Sequence, residues 1–375
     1  MTGINTLLID QGPGETRVAV LAGEAVIEVY HHRKDQPVAG AFYSGRVSKT
    51  LPDGSAVFVE IGLERPALMP CEAKQLPEGK VVIVEIIQPP RRDKGAKVRQ
   101  AKKGYLDNGT PPSRLGILKP ADHAISNCVA LYANVLDSVI MSMPDYDGEI
   151  ESMLGAKLKA DQWHGRGSLF EHFGVDEALE LALTPSVAFP GGGKLIIETT
   201  AACTTVDVDA GPLAAADANN LAMVALAYEL RLRNISGPII VDLIPSKNRG
   251  SAVTRLKHFV ADDPVPTRVV GLTPEGRIEL NRRRLRPSLA DLLLDPPGPG
   301  KPKLDAIAYS ALRRCVRLGL SQNATRLTLH AHCEVITLLS GRLKPSLDEA
   351  SSVLKISINL APAKDKPQSW TDIEI

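Results

Sequence analysis

The chain has 375 residues, of which 44% are hydrophobic, and its 44 basic residues nearly balance 43 acidic ones. This length and composition predict a globular protein of two or three domains, and the balanced charge neither favours nor excludes nucleic acid as a partner. No segment approaches the run of about 20 apolar residues that spans a bilayer, and the N-terminus lacks a signal sequence, so we expect no membrane contact and a cytoplasmic location.

Short strands are the first predicted elements. Residues 16–21 and 25–31 are rich in valine and isoleucine and flank a turn with glycine, which predicts a β-hairpin. Further short strands, separated by glycine and proline turns, are predicted at residues 43–47, 54–62 and 81–87. Their spacing is typical of a small five-stranded barrel, which we place within residues 36–104.

A basic cluster follows the last of these strands. It contains a single acid, Asp93, and its basic members are Arg91, Arg92, Lys94, Lys97, Arg99, Lys102 and Lys103. Such a cluster is either a solvated surface or a track for RNA phosphates, and the residues alone favour neither interpretation. A polar connection at 105–114 then leads to a helix at 120–133, a strand at 136–143 and a second helix at 147–158.

Residues 192–250 hold the most informative pattern. An apolar strand at 194–200, with its continuation at 204–209, and a strand at 237–244 flank a helix predicted over 213–233. Asp207 and Asp209 are two apart on a strand, so both side chains point to the same side. A right-handed crossover would make the strands parallel and bring Asp242 near them. Divalent cations bind such carboxylates, although Asp207 and Asp209 could instead cap a turn before Gly211.

Basic residues are frequent beyond Asp242. Lys247, Arg249, Arg255 and Lys257 lie on or near a predicted helix, and a hairpin-like segment then carries Arg268, Arg277, Arg282, Arg283, Arg284 and Arg286. Because guanidinium groups bind phosphate oxygens in a fork, this region is either a phosphate-binding rim or a solvated surface.

The C-terminal part begins after a linker at 291–303, rich in proline and glycine. Helix-like segments at 304–318 and 335–339 and strands at 326–331 and 354–359 predict a small α/β domain over 304–375. The five cysteines have no CxxC spacing and indicate reduced thiols, and the run His330, His332, Cys333 lies in a strand-like stretch. We therefore expect neither a disulfide framework nor bound zinc.

Four segments around the predicted acids resemble the catalytic segment of the ribonuclease E/G family. They are residues 192–198 (GGKLIIE), 207–211 (DVDAG), 230–234 (LRLRN) and 237–242 (GPIIVD). Residues 14–21, 168–175 and 284–289 also match that family, in the same order along the chain.

The resemblance implies an α/β fold with an RNase H-like catalytic domain, formed by residues 1–35 and 105–290. An S1-type OB-fold barrel, residues 36–104, would be inserted into it, and the small α/β domain would follow the linker. The implied activity is that of an endoribonuclease that cuts single-stranded RNA with a metal-activated water. Asp207 and Asp242 would hold Mg²⁺, with Mn²⁺ as the alternative ion. Asp209 is the third implied catalytic residue and stands where the family has an asparagine that assists the two aspartates.

The resemblance also implies RNA contacts. Phe58 would stack on a base, although a core position for this ring is the alternative, and Leu68 replaces a second aromatic residue. The predicted RNA-binding residues are Phe58, Lys94, Arg46, Arg231, Arg233, Arg249, Arg255 and Arg268.

Several departures from the family matter. An Arg-Thr-Ala-Gly run that grips a 5′-monophosphate is missing, as are the paired cysteines of a zinc-linked dimer, so we expect neither feature, and the oligomeric state stays open. Ala201 and Asn234 replace family acids, which leaves a non-catalytic RNA-binding protein as the alternative. A nucleotide-binding enzyme is weakly indicated, because Gly191 to Gly193 precede a strand where a phosphate loop would follow one.

Overall fold

The structure is a computed structural model, and it describes residues 3–33, 36–71, 76–91, 94–102, 114–145, 148–295 and 300–375. The chain divides into two compact units. The first comprises residues 1–33, 124–282 and 292–375, and the second comprises residues 34–123 and 283–291. No helix in the described ranges is long and apolar enough to cross a membrane.

Three antiparallel strands open the chain: β1 (Ile4–Gly12), β2 (Glu15–Ala22) and β3 (Ala25–His32). The predicted hairpin is confirmed as β2 and β3. β1 was not predicted, because its consecutive buried residues Leu7, Leu8 and Ile9 lack the alternation of a half-buried strand.

The second unit is built on a closed barrel of β4 (Phe42–Thr50), β5 (Ala56–Glu60), β6 (Ala67–Pro70), β7 (Val81–Gln88) and β8 (Lys97–Gln100). The ring runs β4-β5-β6-β8-β7 and closes on β4, and only β6 and β8 pair in parallel. β9 (Gly116–Lys119) adds to β4 outside the ring. The predicted five-stranded barrel is confirmed, and its topology is consistent with an OB-fold. Of the polar connection predicted at 105–114, all but Arg114 lies outside the described residues.

The chain then returns to the first sheet. α1 (Ala124–Tyr132) leads to β10 (Ser138–Met141), which pairs in parallel with β1, and α2 (Glu149–Leu154) leads to β11 (Ala160–Gln162), parallel to β10. The order of this sheet is β11-β10-β1-β2-β3. The two predicted helices and the strand between them are confirmed with shorter bounds.

A second, six-stranded sheet follows α3 (Leu169–His172) and α4 (Val175–Ala182). Its elements are β12 (Ser186–Phe189), β13 (Gly193–Thr199), β14 (Thr204–Asp209), α5 (Ala215–Leu232), β15 (Gly237–Asp242), α6 (Arg249–Val260), β16 (Thr267–Leu272) and β17 (Ile278–Arg282). The strand order is β12-β13-β14-β15-β17-β16. The prediction of one continued strand over 194–209 was wrong, because the chain reverses at residues 200–203 and forms an antiparallel hairpin.

The two faces of this second sheet differ. Leu195, Val206 and Val241 point to the face that packs against α5 and α6 and forms a buried core. Lys194, Asp207 and Asp242 alternate with them and are exposed on the opposite face. Alternation along three neighbouring strands thus gives the sheet one apolar face and one face for polar chemistry.

The C-terminal elements are α7 (Leu289–Leu293), α8 (Leu304–Ser321), β18 (Leu327–Ala331), α9 (Cys333–Ser340), α10 (Lys344–Leu354), β19 (Ile358–Pro362) and β20 (Thr371–Glu374). β18 lies between β19 and β20 in a small sheet, and the helices cover it with a separate core. The strand predicted at 354–359 starts later because α10 continues to Leu354. Residues 296–299 of the predicted linker lie outside the described part of the chain.

Candidate active site

Asp207 and Asp242 are direct neighbours on adjacent strands. β14 and β15 run in parallel, and the two aspartates are register partners. Since paired strands lie about 4.8 Å apart and partnered side chains point to one face, the two carboxylates stand side by side. Both residues are exposed, Asp242 with 61% of its side chain accessible. The predicted parallel arrangement and the approach of Asp242 to Asp207 are confirmed.

The crossover through α5 creates this arrangement. α5 occupies Ala215–Leu232, close to the predicted helix, and buries Ala222, Leu226 and Leu230 against the sheet. Asn219 on the same helix is buried, and its side-chain amide donates to the Ile244 carbonyl at 2.9 Å and accepts from the Ile244 N–H at 3.1 Å. These two hydrogen bonds, here called the Asn219 clamp, hold the chain just beyond Asp242. The end of β15 is therefore fixed by α5 as well as by its pairing with β14.

Asp209 has a different environment although it shares the face of Asp207. Its carboxylate accepts a hydrogen bond from the Gly211 N–H at 3.0 Å and lies 3.3 Å from the Lys194 ammonium group. The Gly211 bond and Lys194 lower the pKa of the Asp209 carboxyl. Gly211 has a φ of +54°, and a Cβ there would lie 2.2 Å from the Gly192 carbonyl oxygen. The turn-capping interpretation therefore holds for Asp209, but the Gly211 contact does not involve Asp207.

Asp242 is paired with a cation that lies just before the next strand of the sheet. The Arg277 Nε lies 3.4 Å from Oδ1 of Asp242. Arg277 precedes β17, and its carbonyl accepts from the Thr273 N–H at 2.8 Å. Arg249 packs across the same turn at Gly276, which has a φ of +86°, and its guanidinium lies 3.5 Å from the Glu275 carbonyl. The Arg249 side chain, predicted to bind RNA, thus contacts the turn that carries Arg277.

Two adjacent exposed carboxylates suit a hard divalent cation. Mg²⁺ is typically bound through one or two carboxylates while it keeps several waters, so Asp207 and Asp242 form a sufficient protein donor set. Within the described ranges, no group of three or more histidine, cysteine or acidic side chains is placed to hold a metal. Any such ion would therefore need water or substrate oxygens to complete its coordination.

Arg231 and Arg233 are buried, which corrects their predicted exposure to RNA. The Arg231 side chain is 1% accessible and donates to the Glu28 carboxylate on β3 from Nε at 2.9 Å and from Nη2 at 2.6 Å. Arg233 donates to the Glu229 carboxylate and to the Thr184 carbonyl. Because both guanidinium groups are satisfied inside the protein, these placements do not support RNA contacts.

Asn234, at a position where the resemblance implied an acid, has a structural reason to be asparagine. It adopts a left-handed conformation with φ of 49° directly after the last turn of α5, where asparagine is tolerated. Its side-chain oxygen accepts from Arg282 Nη1 at 3.0 Å in the interior. Ala201 is exposed in the turn between β13 and β14.

The remaining predicted RNA contacts on this unit are at the surface. Arg255 is exposed on α6, with its guanidinium 6.0 Å from the ring centre of Phe259. Arg268 is exposed on β16, opposite Asn281. These two arginines are accessible to a solvent-borne phosphate, in contrast to Arg231 and Arg233.

Phe58 lies on the outer surface of the barrel. Its neighbours along the strand, Val57 and Val59, fill the barrel core, whereas Phe58 is half-buried and has Lys49 and Leu68 as cross-strand partners. The alternative of a core ring is therefore not supported. Lys97 on β8 pairs with Leu68. The Phe58 side chain therefore lies in a cross-strand row on the barrel surface that begins with Lys49 and ends with Lys97.

The basic residues of the barrel unit are partly paired. Arg46 is exposed and donates to the Gly79 carbonyl at 3.3 Å, and Lys94 is exposed and forms an isolated antiparallel bridge with Arg91. Arg99 forms two hydrogen bonds with Glu85. Arg92, Asp93 and Lys103 of the predicted cluster lie outside the described residues.

Sequence reasoning missed the role of Lys194 and gave Arg277 only as one member of a basic region. Lys194 meets Asp209 because β13 and β14 form a hairpin, which was overlooked when their residues were treated as one strand. The available signal was the interruption of the β-branched run by the small residues Ala201 and Ala202. Gly191 to Gly193 lie at a strand-to-strand turn, which removes support for a phosphate loop.

Comparisons with known proteins agree on one family. A model described as the Ribonuclease E/G family matches residues 117–285, the range that contains both carboxylates. Ribonuclease G of Escherichia coli (strain K12) is 25% identical over 486 aligned positions, covering 96% of this chain and 98% of the relative. Ribonuclease G of Haemophilus influenzae is 25% identical over 83% of this chain and 87% of its own length. Ribonuclease E of Nostoc sp. is 34% identical over 37% of this chain and 22% of its own length.

The alignment with the Escherichia coli relative is longer than the present chain. That relative therefore contains segments for which this chain has no counterpart.

Proposed function

We propose, from the premise that this chain belongs to the ribonuclease E/G family, that it is an endoribonuclease that cuts single-stranded RNA. The observation that carries the proposal is the side-by-side register of Asp207 and Asp242 at the exposed ends of two parallel strands. Two relatives that align with most of this chain bear the name Ribonuclease G, and the family match covers both aspartates.

Asp207 and Asp242 would hold a Mg²⁺ or Mn²⁺ ion in this proposal. Such an ion would supply a water activated for in-line attack on phosphorus, in which the P–O3′ bond breaks and the products carry a 3′-hydroxyl and a 5′-phosphate. The carboxylates are fixed by the strand register and the Asn219 clamp, so they would present their oxygens in one orientation. Asp209, already bonded to Gly211 and Lys194, would keep the turn before α5 in shape.

RNA binding would rest on exposed groups of each unit. Arg255 and Arg268 are accessible on the unit that carries the carboxylates, and guanidinium groups suit phosphate oxygens. On the barrel, Phe58 would stack on a base, while Lys49 and Lys97 at the ends of its row attract the backbone. Arg46 and Lys94 would add to this attraction.

The RNase H-like fold was expected for residues 1–35 and 105–290 as one catalytic domain, and we now propose it for the sheet β11-β10-β1-β2-β3 alone. There an antiparallel meander is extended by two parallel strands, each reached through a helix. Asp207 and Asp242 lie on the six-stranded sheet, so the fold assignment and the active-site proposal concern different parts of one unit. The S1-type assignment of the barrel and a cytoplasmic location are proposals of the same kind.

One observation favours a second candidate function, a non-catalytic RNA-binding protein. Asp242 already has a counter-ion in Arg277, and a cation at this position competes with a metal for the carboxylate. This candidate would keep the RNA contacts and lose turnover.

The test compares Asp207→Asn and Asp242→Asn with wild type on an unstructured RNA, with Mg²⁺ or with a chelator. Cleavage should fall by several orders of magnitude in each variant, while RNA affinity stays within a few-fold, because metal activation and RNA binding use different groups. Glu279→Gln is the matched control, since it removes one exposed carboxylate from the same face of the same sheet. Cleavage that survives both aspartate changes would exclude the site, and a wild type without cleavage would favour the second candidate.

A further inference from the structure

The ion pair between Arg277 and Asp242 is exposed and rests on a single contact. Both side chains are about half exposed, with 51% and 61% accessible, and the contact uses one guanidinium nitrogen at 3.4 Å. An exposed pair of this kind is weak because water screens it and both side chains lose freedom to form it. Asp242 can therefore give up this partner for a stronger one.

The main chain of Arg277 is held while its side chain is exposed. The Thr273 hydroxyl accepts from the Arg277 N–H at 3.3 Å, the Thr273 N–H donates to the Arg277 carbonyl, and Arg249 packs on the turn at Gly276. Ile278, the next residue, is the register partner of Val241 beside Asp242. The backbone of Arg277 is thus fixed next to the carboxylate pair, while its exposed guanidinium is free to change orientation.

A divalent cation on Asp207 and Asp242 would repel a guanidinium in this position. Like charges a few ångströms apart oppose each other, so a metal on these carboxylates would weaken the contact of Arg277 with Asp242. A phosphate of bound RNA offers the displaced guanidinium an anionic partner with matching fork geometry. Bound metal and bound RNA would each favour the position in which the Arg277 guanidinium is away from Asp242.

We propose that Arg277 is an exchangeable counter-ion that couples metal binding to RNA binding. In the RNA-free protein it neutralises Asp242 and weakens metal binding. When RNA is present it binds a phosphate next to the carboxylates, and the metal then binds more tightly. By linkage, the metal must strengthen RNA binding by the same factor. This inference rests on the proposed function, since it requires a metal on Asp207 and Asp242.

The experiment measures Mn²⁺ affinity by electron paramagnetic resonance or calorimetry, with and without a nuclease-resistant 2′-O-methyl oligonucleotide. Wild type should bind Mn²⁺ about fivefold or more tightly with the oligonucleotide. Arg277→Gln should bind Mn²⁺ about two- to fivefold more tightly than wild type without it, because the competing pair is lost, and should show almost no further gain when it is added. Arg342→Gln is the matched control, because it removes an equally exposed arginine from a pair with Asp305, and should behave as wild type.

Equal Mn²⁺ affinities for Arg277→Gln and wild type in both conditions would overturn the inference, as would the absence of any Mn²⁺ binding by wild type. Asp207→Asn separates this failure from that of the proposed function. If Asp207→Asn binds Mn²⁺ as wild type does, the metal lies elsewhere and the proposed active site is wrong. If it loses Mn²⁺ while Arg277→Gln is unchanged, the site stands and only the coupling is wrong.

Discussion

Asp207 and Asp209 lie two positions apart on one strand, yet their surroundings give them different chemistry. Asp209 is engaged by the Gly211 N–H and the Lys194 ammonium, whereas Asp207 has a second carboxylate, Asp242, as its cross-strand partner. A carboxylate beside another carboxylate gains most from a divalent cation. Asp207 and Asp242 are therefore the better candidates for metal ligands.

At the scale of a single residue, Phe58→Ala tests whether the Phe58 ring on the barrel surface stacks on an RNA base. The ring is half-buried on the outer face, so its loss should weaken single-strand RNA binding by about 1 to 3 kcal/mol, the range for one stacked base. Thermal stability should change little, because Val57 and Val59 rather than Phe58 fill the core. Binding assays and melting curves of the same preparation measure both effects.

Val57→Ala is the matched control for that variant, since it truncates the neighbouring core residue and should lower stability instead. Unchanged RNA affinity in Phe58→Ala, together with a large loss of stability, would show that the ring serves the barrel and not RNA.

At the scale of elements, α5 is held to the first sheet by a buried ionic contact. Arg231 bonds to Glu28 on β3, and the Tyr132 hydroxyl of α1 donates to the same carboxylate at 3.0 Å. Tyr228 adds a hydrogen bond of 2.7 Å to the Val26 carbonyl. The helix that connects the two aspartate strands thus also links the six-stranded sheet to the five-stranded sheet of this unit.

Arg231→Met should destabilise the protein by about 3 to 5 kcal/mol, because it leaves the Glu28 carboxylate buried without its charge partner. Denaturant unfolding measures this loss, and the double variant with Glu28→Gln should recover part of it. RNA affinity of the folded Arg231→Met protein should equal that of wild type. Weaker RNA binding with unchanged stability would instead support the RNA contact predicted from the sequence.

Elements with strong periodicity could be predicted from the sequence, and so could the pairing of the aspartates. The helix expected at 213–233 is α5, and Asp242 meets Asp207 because a right-handed crossover has few alternatives. The hairpin at 200–203 was missed since apolar alternation continues on both sides of a short turn. Arg231 and Arg233 were misjudged because burial of an arginine depends on partners far away in the chain, such as Glu28.

At the scale of the whole molecule, the missing Arg-Thr-Ala-Gly run predicts that the cleavage rate does not depend on the group at the RNA 5′ end. Selective binding of a terminal phosphate needs several convergent donors. Arg268 resembles a further phosphate contact of the family, but this single guanidinium should discriminate weakly. One RNA carrying either a 5′-monophosphate or a 5′-hydroxyl should be cleaved at nearly equal rates, and both rates should fall steeply with salt, because binding rests on backbone charge.

Competition between the two forms in one reaction measures the ratio most directly. A preference of more than about tenfold for the monophosphate, equivalent to roughly 1.4 kcal/mol, would reveal a binding site for the terminal phosphate elsewhere in the chain.

The register between β14 and β15 also determines which kinds of mutation this region tolerates. Asp207 faces Asp242 only while the strands keep their alignment, and a slip of one residue turns every side chain of a strand to the opposite face. Deleting or inserting one residue within β15 would send Asp242 toward the core and Val241 toward solvent. Many point substitutions on the exposed face should be accepted during evolution, whereas changes of length in these two strands should be eliminated.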